Sequence, residues 1–307
     1  MRYVKWLSHY LDRRRSAVTF GKFDGLHLGH QKLIETVQRL KKENNTVSIV
    51  CAFDMRPLWK AKHLHMERLM TGRERCHHLS QEVDYLVECP FTEKFRGMTA
   101  EEFIRKVVCG VFNAGYVVVG ADFHFGKDQG GDVHTLEKYA KEYGYELVVV
   151  EKERYGEHVI SSTYIRDVLK KGNVRLANYL LGYPFEVNGR VERGNQLGRT
   201  LGFPTMNVAW PEYKLVPPKG VYISEITIDG IKYPGISNVG VKPTVSKDNK
   251  VVLESFLFQY GSDAYGRKVK AEFLEFRRPE QKFGSVEEMK AHVDKDIMYG
   301  RKYFGIE

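Results

Sequence analysis

Two histidines, His27 and His30, stand three residues apart in GKFDGLHLGH, which runs from Gly21 to His30. Before them lies the apolar run Ala17 to Phe20, and after them Leu33, Ile34, Val37 and Leu40 recur at helical spacing. The run predicts a strand and the spacing a helix, with Lys41 and Lys42 in its last turn and Asn44 and Asn45 as its stop. HLGH then opens the helix, where free backbone N–H groups and the positive end of the dipole favour an anion. Glycines at positions 25 and 29 let the backbone approach a ligand closely and take positive φ. Both imidazoles can face one ligand from the first turn, so the arrangement suits phosphate. A tight strand-to-helix turn carrying surface histidines is the plainer alternative.

A second candidate is a lone acid. Glu254 interrupts Val251, Val252, Leu253, Phe256, Leu257 and Phe258. A carboxylate in such a run points either to solvent or into a polar site. Period-two alternation puts Val252, Glu254, Phe256 and Phe258 on one face, which argues against solvent. Thr205 and Asn207, in PTMN, also stand two apart, and the same period predicts one strand face for both. A hydroxyl and an amide oxygen are hard ligands suited to Mg²⁺.

The elements that must position these groups change character along the chain. Strand patterns at Ala17 to Phe20, Val47 to Phe53, Tyr85 to Glu88, Tyr116 to Val119 and Glu146 to Val150 alternate with helical patterns, notably Ala100 to Val108 and Val133 to Tyr143. Such alternation predicts a parallel sheet with helices on both faces and a ligand crevice at the strands' carboxyl ends. A short helix, Val174 to Leu181, ends at Gly182 and Pro184, which places a domain boundary between residues 1–182 and 183–307. Beyond it lie short strands punctuated by glycine and proline: Glu186 to Val191, Gly220 to Ile228, Lys232 to Val239, Val251 to Tyr260 and Val269 to Phe276. Asp229-Gly230 signals a hairpin, and the spacing suggests a small closed barrel. Ser285 and Glu288 form a capping-box pattern before a terminal helix. The fold class is therefore α/β plus all-β.

At 307 residues two domains are the natural expectation. The four cysteines, Cys51, Cys76, Cys89 and Cys109, show no CxxC pairing and suit reduced thiols in the cytoplasm. No apolar stretch approaches the roughly 20 residues of a membrane helix, and no signal-peptide core follows Arg13, Arg14 and Arg15. The net charge of +9, from 48 basic and 39 acidic residues, invites a nucleic-acid partner. The basic residues are scattered, however, and polyanionic small molecules explain the charge as well. Two loose phosphate-loop look-alikes, GADFHFGK and GNQLGRT, fail the GxxxxGK[ST] spacing. His63, His65, Cys76, His77 and His78 match no zinc-ligand spacing.

An HxGH turn after the first strand of the alternating pattern resembles the nucleotidyltransferase superfamily. That tetrad alone leaves adenylyltransferases, cytidylyltransferases and class I aminoacyl-tRNA synthetases open. GADFHFG (Gly120 to Gly126) and SSTYIRDVL (Ser161 to Leu169) follow it in the order found in bacterial bifunctional riboflavin kinase/FAD synthetases. GNQLGRTLGFPTMN (Gly194 to Asn207), SNVGVKPT (Ser237 to Thr244), Glu254 and DAYGRKVKAEFLEFRRPEQKF (Asp263 to Phe283) are similar to the riboflavin kinase half of that family.

The resemblance implies a Rossmann-like nucleotidyltransferase domain followed by a six-stranded antiparallel barrel with a terminal helix. It implies two reactions with MgATP: riboflavin phosphorylated to FMN, then FMN adenylated to FAD with release of pyrophosphate. His27 and His30 would stabilise charge on the phosphates, with Gly21, Phe23, Asp24, Gly25, Gly29 and Asp122 shaping that pocket. Ser161, Ser162, Thr163 and Arg166 would form a second phosphate site, although the hydroxyls also fit plain helix capping. Glu254 would be the base or orienter for the ribityl 5′-hydroxyl, with Gly194 and Arg199 in an ATP-phosphate flap. Arg278 would join the ATP and flavin contacts, and Thr205 and Asn207 would hold the metal.

Family members usually carry Asn, Arg and Arg where this chain has Lys22, His124 and Tyr164, and Ala and His where it has Met206 and Phe256. Neither histidine nor tyrosine reproduces arginine's planar donor fork. An enzyme retaining only the kinase step is therefore one alternative. A flavin-responsive or RNA-binding regulator reusing the fold is another.

Overall fold

The computed structural model describes residues 1–64, 66–194, 202–242 and 250–306. The chain divides into two compact units, Met1–Glu67 with Gly72–Ser161, and Arg68–Thr71 with Ser162–Glu307. This division falls earlier than the sequence boundary after Gly182. The helices Ser162–Lys170 and Val174–Leu181 belong to the second unit, where they pack on each other and the latter packs on a barrel strand.

The first unit is built on a six-stranded sheet: β1 (Arg2–Lys5), β2 (Ser16–Gly21), β3 (Val47–Asp54), β4 (Tyr85–Pro90), β5 (Ala114–Gly120) and β6 (Glu146–Val150). Its order is β1-β4-β3-β2-β5-β6 with every pair parallel. β2 and β3 are buried along nearly their whole length, as central parallel strands covered on both faces must be. The chain builds outward from β2 through β3 to β4 on one side and through β5 to β6 on the other. The direction reverses between β2 and β5, and this switch point is where sheets of this kind take a ligand, at the carboxyl ends of the strands.

Helix α1 (Leu28–Asn44) buries Leu33, Ile34, Val37 and Leu40 and ends on Asn45 in the left-handed conformation, φ 50° and ψ 40°. Burying those side chains contributes about 2 kcal/mol each, and this fixes the helix start against the sheet. In the core, Phe20 packs edge-on against Phe103 at 5.2 Å and Phe112 at 5.8 Å. Two features differ from the sequence pattern. β1 adds an edge strand too short to show periodicity, and the helix expected over Ala100 to Val108 is α only to Phe103 before widening to a π-turn at Ile104–Cys109.

A small antiparallel ribbon, β7 (Arg154–Tyr155) with β8 (His158–Val159), completes the first unit. The second unit holds β9 (Glu186–Glu192), β10 (Met206–Ala209), β11 (Gly220–Ile228), β12 (Ile231–Lys242), β13 (Lys250–Leu257) and β14 (Lys268–Pro279), closed in the order β10-β13-β12-β11-β14-β9. All pairings are antiparallel. Asp229 and Gly230 turn the β11–β12 hairpin with φ 50° and 84°, the primed-turn geometry their types favour. Alternation separates an interior from an outer wall. Ser224, Ser237 and Ser255 are buried inside, with hydroxyl oxygens 2.7 Å apart along the chain of three.

On the outer wall, Val221, Ile223, Ile236 and Phe258 pack with Ile297 and Phe304 of the terminal helix Val286–Phe304. Gly300 lets that helix lie on the barrel, since a Cβ there would stand 2.6 Å from the Phe258 ring. Ser285 accepts from the Glu288 amide at 3.1 Å, while Glu288 accepts from the Gly284 amide at 2.7 Å. The cap forms, with its return bond one residue earlier than in the standard box.

Candidate active sites

The turn after β2 sits at the carboxyl edge of the sheet, beside the switch point. His27 is the N-cap residue of α1, and its carbonyl accepts from the His30 amide at 2.7 Å and the Gln31 amide at 3.0 Å. The two imidazoles stack, with ring centroids 3.8 Å apart and planes inclined by 26°. Phe23, fully buried, braces His30 from 5.1 Å. Three residues of this short turn take left-handed backbone: Phe23 at φ 47°, Gly25 at 86° and Leu26 at 39°. Only Gly25 does so without strain, and residues held this way cost on the order of 1 kcal/mol each. Gly29 is helical, and a Cβ there would make only ordinary contacts with the His27 ring at 3.4 Å and the Ile160 carbonyl at 3.8 Å.

The Nδ1 atoms of His27 and His30 are both buried with no hydrogen-bond partner among the described residues. Burial pushes His27 down to about 4. It also pushes His30 well below the ordinary value, with His27 and then Arg75 adding to the effect. Both rings are therefore neutral near pH 7. Each offers one N–H donor, and unpaired buried polar atoms of this kind mark a place built for a ligand.

The remaining expected residues of this site are spread more widely. Asp122 lies in the loop after β5, the strand beside β2, and its Oδ2 is 2.8 Å from Lys152 Nζ. His124, in the same loop, turns its Nδ1 to the Asp122 carbonyl at 2.9 Å. Gly21 ends β2, where a Cβ would press on the Phe23 ring at 3.2 Å, and Asp24 is half-buried. Ser161 closes the first unit, whereas Ser162, Thr163 and Arg166 open the first helix of the second. Arg166 Nη2 donates to Thr163 Oγ1 at 3.1 Å.

In the barrel, register assembles a second polar constellation on the outer wall. Glu254 of β13 lies directly opposite Asn207 of β10 on one side and Asn238 of β12 on the other. Directly opposed residues bring their Cβ atoms to within about 5 Å, so the three side chains form one row. The row continues to Glu192 beyond Asn207 and, through Val221, to Arg278. Glu254 and Asn238 are half-buried and Asn207 is buried.

Gly194 runs close over this row, because a Cβ there would fall 2.4 Å from the Asn207 amide nitrogen. Gly240 similarly admits the Asn238 amide, 3.0 Å from its ideal Cβ position. Arg278 is held by buried Asp296, with Nε at 2.9 Å and Nη2 at 2.7 Å from Oδ2. β10 begins at Met206, so Thr205 stands one residue ahead of the paired strand. Met206 is buried toward the interior opposite Ser255, which leaves the outer row undisturbed. The hydroxyl of Thr205 and the amide oxygen of Asn207 are hard donors of the kind Mg²⁺ takes. Arg199, His65, and Pro243 and Thr244 of SNVGVKPT lie outside the described residues.

Asn238 is the residue that sequence reasoning missed. Its signal was present in SNVG, a polar side chain inside a β-branched run, but only the β12–β13 register pairs it with Glu254.

A parallel sheet with an HxGH turn at its switch point, followed by a closed six-stranded barrel with an acid on its wall, defines a class of paired nucleotidyl- and phosphoryl-transfer modules. The family model described as FAD synthetase matches residues 10–164, and the one described as riboflavin kinase matches residues 181–304. The bifunctional riboflavin kinase/FMN adenylyltransferase of Escherichia coli K12 is 36% identical over 292 residues, covering 94% of this chain and 93% of its own. That of Bacillus subtilis is 34% identical over 301 residues, covering 95% and 94%. A Streptococcus pneumoniae crystal structure described as a macrolide-efflux protein superposes with a TM-score of 0.86 at 29% identity, over 96% of both chains. Among the described residues no helix is long and apolar enough to cross a membrane. The chain belongs to the bifunctional riboflavin kinase/FMN adenylyltransferase family, and it is an enzyme carrying both of that family's modules.

Proposed function

We propose that the barrel transfers the γ-phosphoryl group of ATP to the 5′-hydroxyl of riboflavin, and that the first unit joins FMN to the AMP moiety of ATP with loss of pyrophosphate. The observation that supports this most directly is the row Asn207–Glu254–Asn238, which sets one half-buried carboxylate between two amides on the barrel's outer wall. Glu254 accepts the proton of the attacking hydroxyl, or orients that hydroxyl for attack, as phosphoryl transfer requires. Asn207 and Thr205 would hold Mg²⁺. That ion, when present with ATP, supplies charge neutralisation at the phosphates. Asn238 orients the acid from its other side.

At the turn after β2, in-line positioning and charge stabilisation do the work, since adenylyl transfer needs no nucleophile from the protein. The neutral imidazoles of His27 and His30 and the first amides of α1 donate to the phosphate oxygens. Phe23, Asp24, Gly25 and Gly29 shape the nucleotide side of the pocket, with Gly21 and Asp122 at its edges. Ser161, Ser162, Thr163 and Arg166 offer donors for a second phosphate site. Gly194, Arg199 and Arg278 serve ATP and flavin in the barrel. The free thiols suit a cytoplasmic setting, with small-molecule substrates as the partners.

The test is a time course of the pure protein with riboflavin and MgATP, the flavins being separated chromatographically. FMN should appear first and FAD after it. FMN that accumulates without FAD or pyrophosphate would leave a kinase alone, and no turnover at all would leave a regulator.

A further inference from the structure

A buried charge network stands behind the histidine turn, apart from the groups that donate to the phosphates. Helix Gly72–Leu79 carries Arg75, which is 3% exposed, toward the carboxyl end of β4. Its Nη2 donates to Glu88 Oε1 at 2.6 Å, and its Nη1 donates to the Lys22 carbonyl at 3.3 Å. Glu88, also 3% exposed, accepts from the Tyr3 hydroxyl at 2.7 Å through Oε2, which stands 3.7 Å from Arg56 Nη2. Arg56 in turn makes a two-pronged contact with buried Asp54. Arg75 Nε is buried and has no acceptor among the described residues.

A buried ion pair of this kind is weak evidence for stability, because desolvation offsets most of the attraction. Its contact with the turn suggests another use. Lys22 immediately precedes Phe23, the first of the left-handed residues, so its carbonyl is the point where strain enters the turn. Fixing that carbonyl fixes the direction in which Phe23 leaves, and Phe23 braces His30. We infer that Arg75, anchored by Glu88, is a positioning residue for adenylyl transfer, clamping the Lys22 carbonyl so that the turn holds His27 and His30 stacked. This rests on reading the turn as the adenylyl-transfer site. Arg75 also places a permanent charge near His30; the charged and titratable groups acting on that ring are His27, stacked on it, and Arg75.

The experiment uses the full chain with Arg75→Met, Arg75→Lys and the charge-free pair Arg75→Met with Glu88→Gln, which avoids stranding a buried carboxylate. In FAD formation from FMN, Arg75→Met and the pair should lower kcat at least tenfold with the KM for ATP changed less than threefold. Arg75→Lys should recover part of the loss, and riboflavin phosphorylation in the same protein should stay at the parent rate. An independent readout needs no activity: NMR titration of the His27 and His30 rings in the ligand-free protein. Loss of the clamp should move the His30 midpoint upward and change both ring environments. A folded Arg75→Met protein with kcat within twofold of the parent, or with unaltered ring signals, overturns the proposal. If the parent makes no FAD, the adenylyl-transfer reading fails, while the ring titration still decides the clamp.

Discussion

The two sites are made in opposite ways. The histidine turn is one contiguous segment, Gly21 to His30, whose backbone strain is a local property. The barrel row takes Asn207, Glu254 and Asn238 from three strands scattered along the chain, and only hydrogen-bonded register lines them up. A site folded into one turn is rigid because its neighbours in sequence are its neighbours in space. A site spread over a closed sheet is rigid because the ladder admits no slip, since a one-residue shift would send Glu254 to the serine-lined interior.

That contrast can be broken in several ways. The largest effect should come from Glu254→Gln, which keeps shape and removes the base: riboflavin phosphorylation should fall by roughly 10²–10⁴-fold. FAD formation from supplied FMN should be untouched. Equal loss of both activities would mean that the sites are not separate. Next, His27→Ala should lower FAD formation by about 10²–10³-fold, in line with removal of one charge-stabilising donor, and spare the kinase step.

Acid should separate the units as well. With His27 held at about 4 against the ordinary 6.5, the unfolded chain binds the extra proton between those values. Its contribution is thus fully present above about pH 6.5 and is lost as pH falls toward about 4. The amount is about 3 kcal/mol, readable in urea unfolding of the first unit at a series of pH values. A flat profile across that window would mean that the ring is not buried in solution. The smallest effect should be that of Gly25→Ala, which forces a Cβ onto φ 86° and should cost about 1–2 kcal/mol in unfolding free energy.

Much of the fold was legible because burial imposes periodicity. The central strands read as continuous apolar runs, and the barrel strands read as alternation between turn residues. The exceptions have physical reasons. β1 has four residues, too few to show a period, and the π-turn at Ile104–Cys109 is a packing adjustment that leaves the apolar spacing unchanged. Thr205 falls one residue before the paired strand, because period two says nothing about where pairing begins.

By itself the sequence determined the phosphate-type turn, the solitary acid and the change from alternating to all-β architecture, because residue type and spacing carry those directly. The tertiary structure decided that both imidazoles are neutral, that Asn238 flanks Glu254 and that Arg75 reaches the Lys22 carbonyl. Those three facts depend on burial, register and contact between distant segments. Such quantities do not exist until the chain has closed on itself.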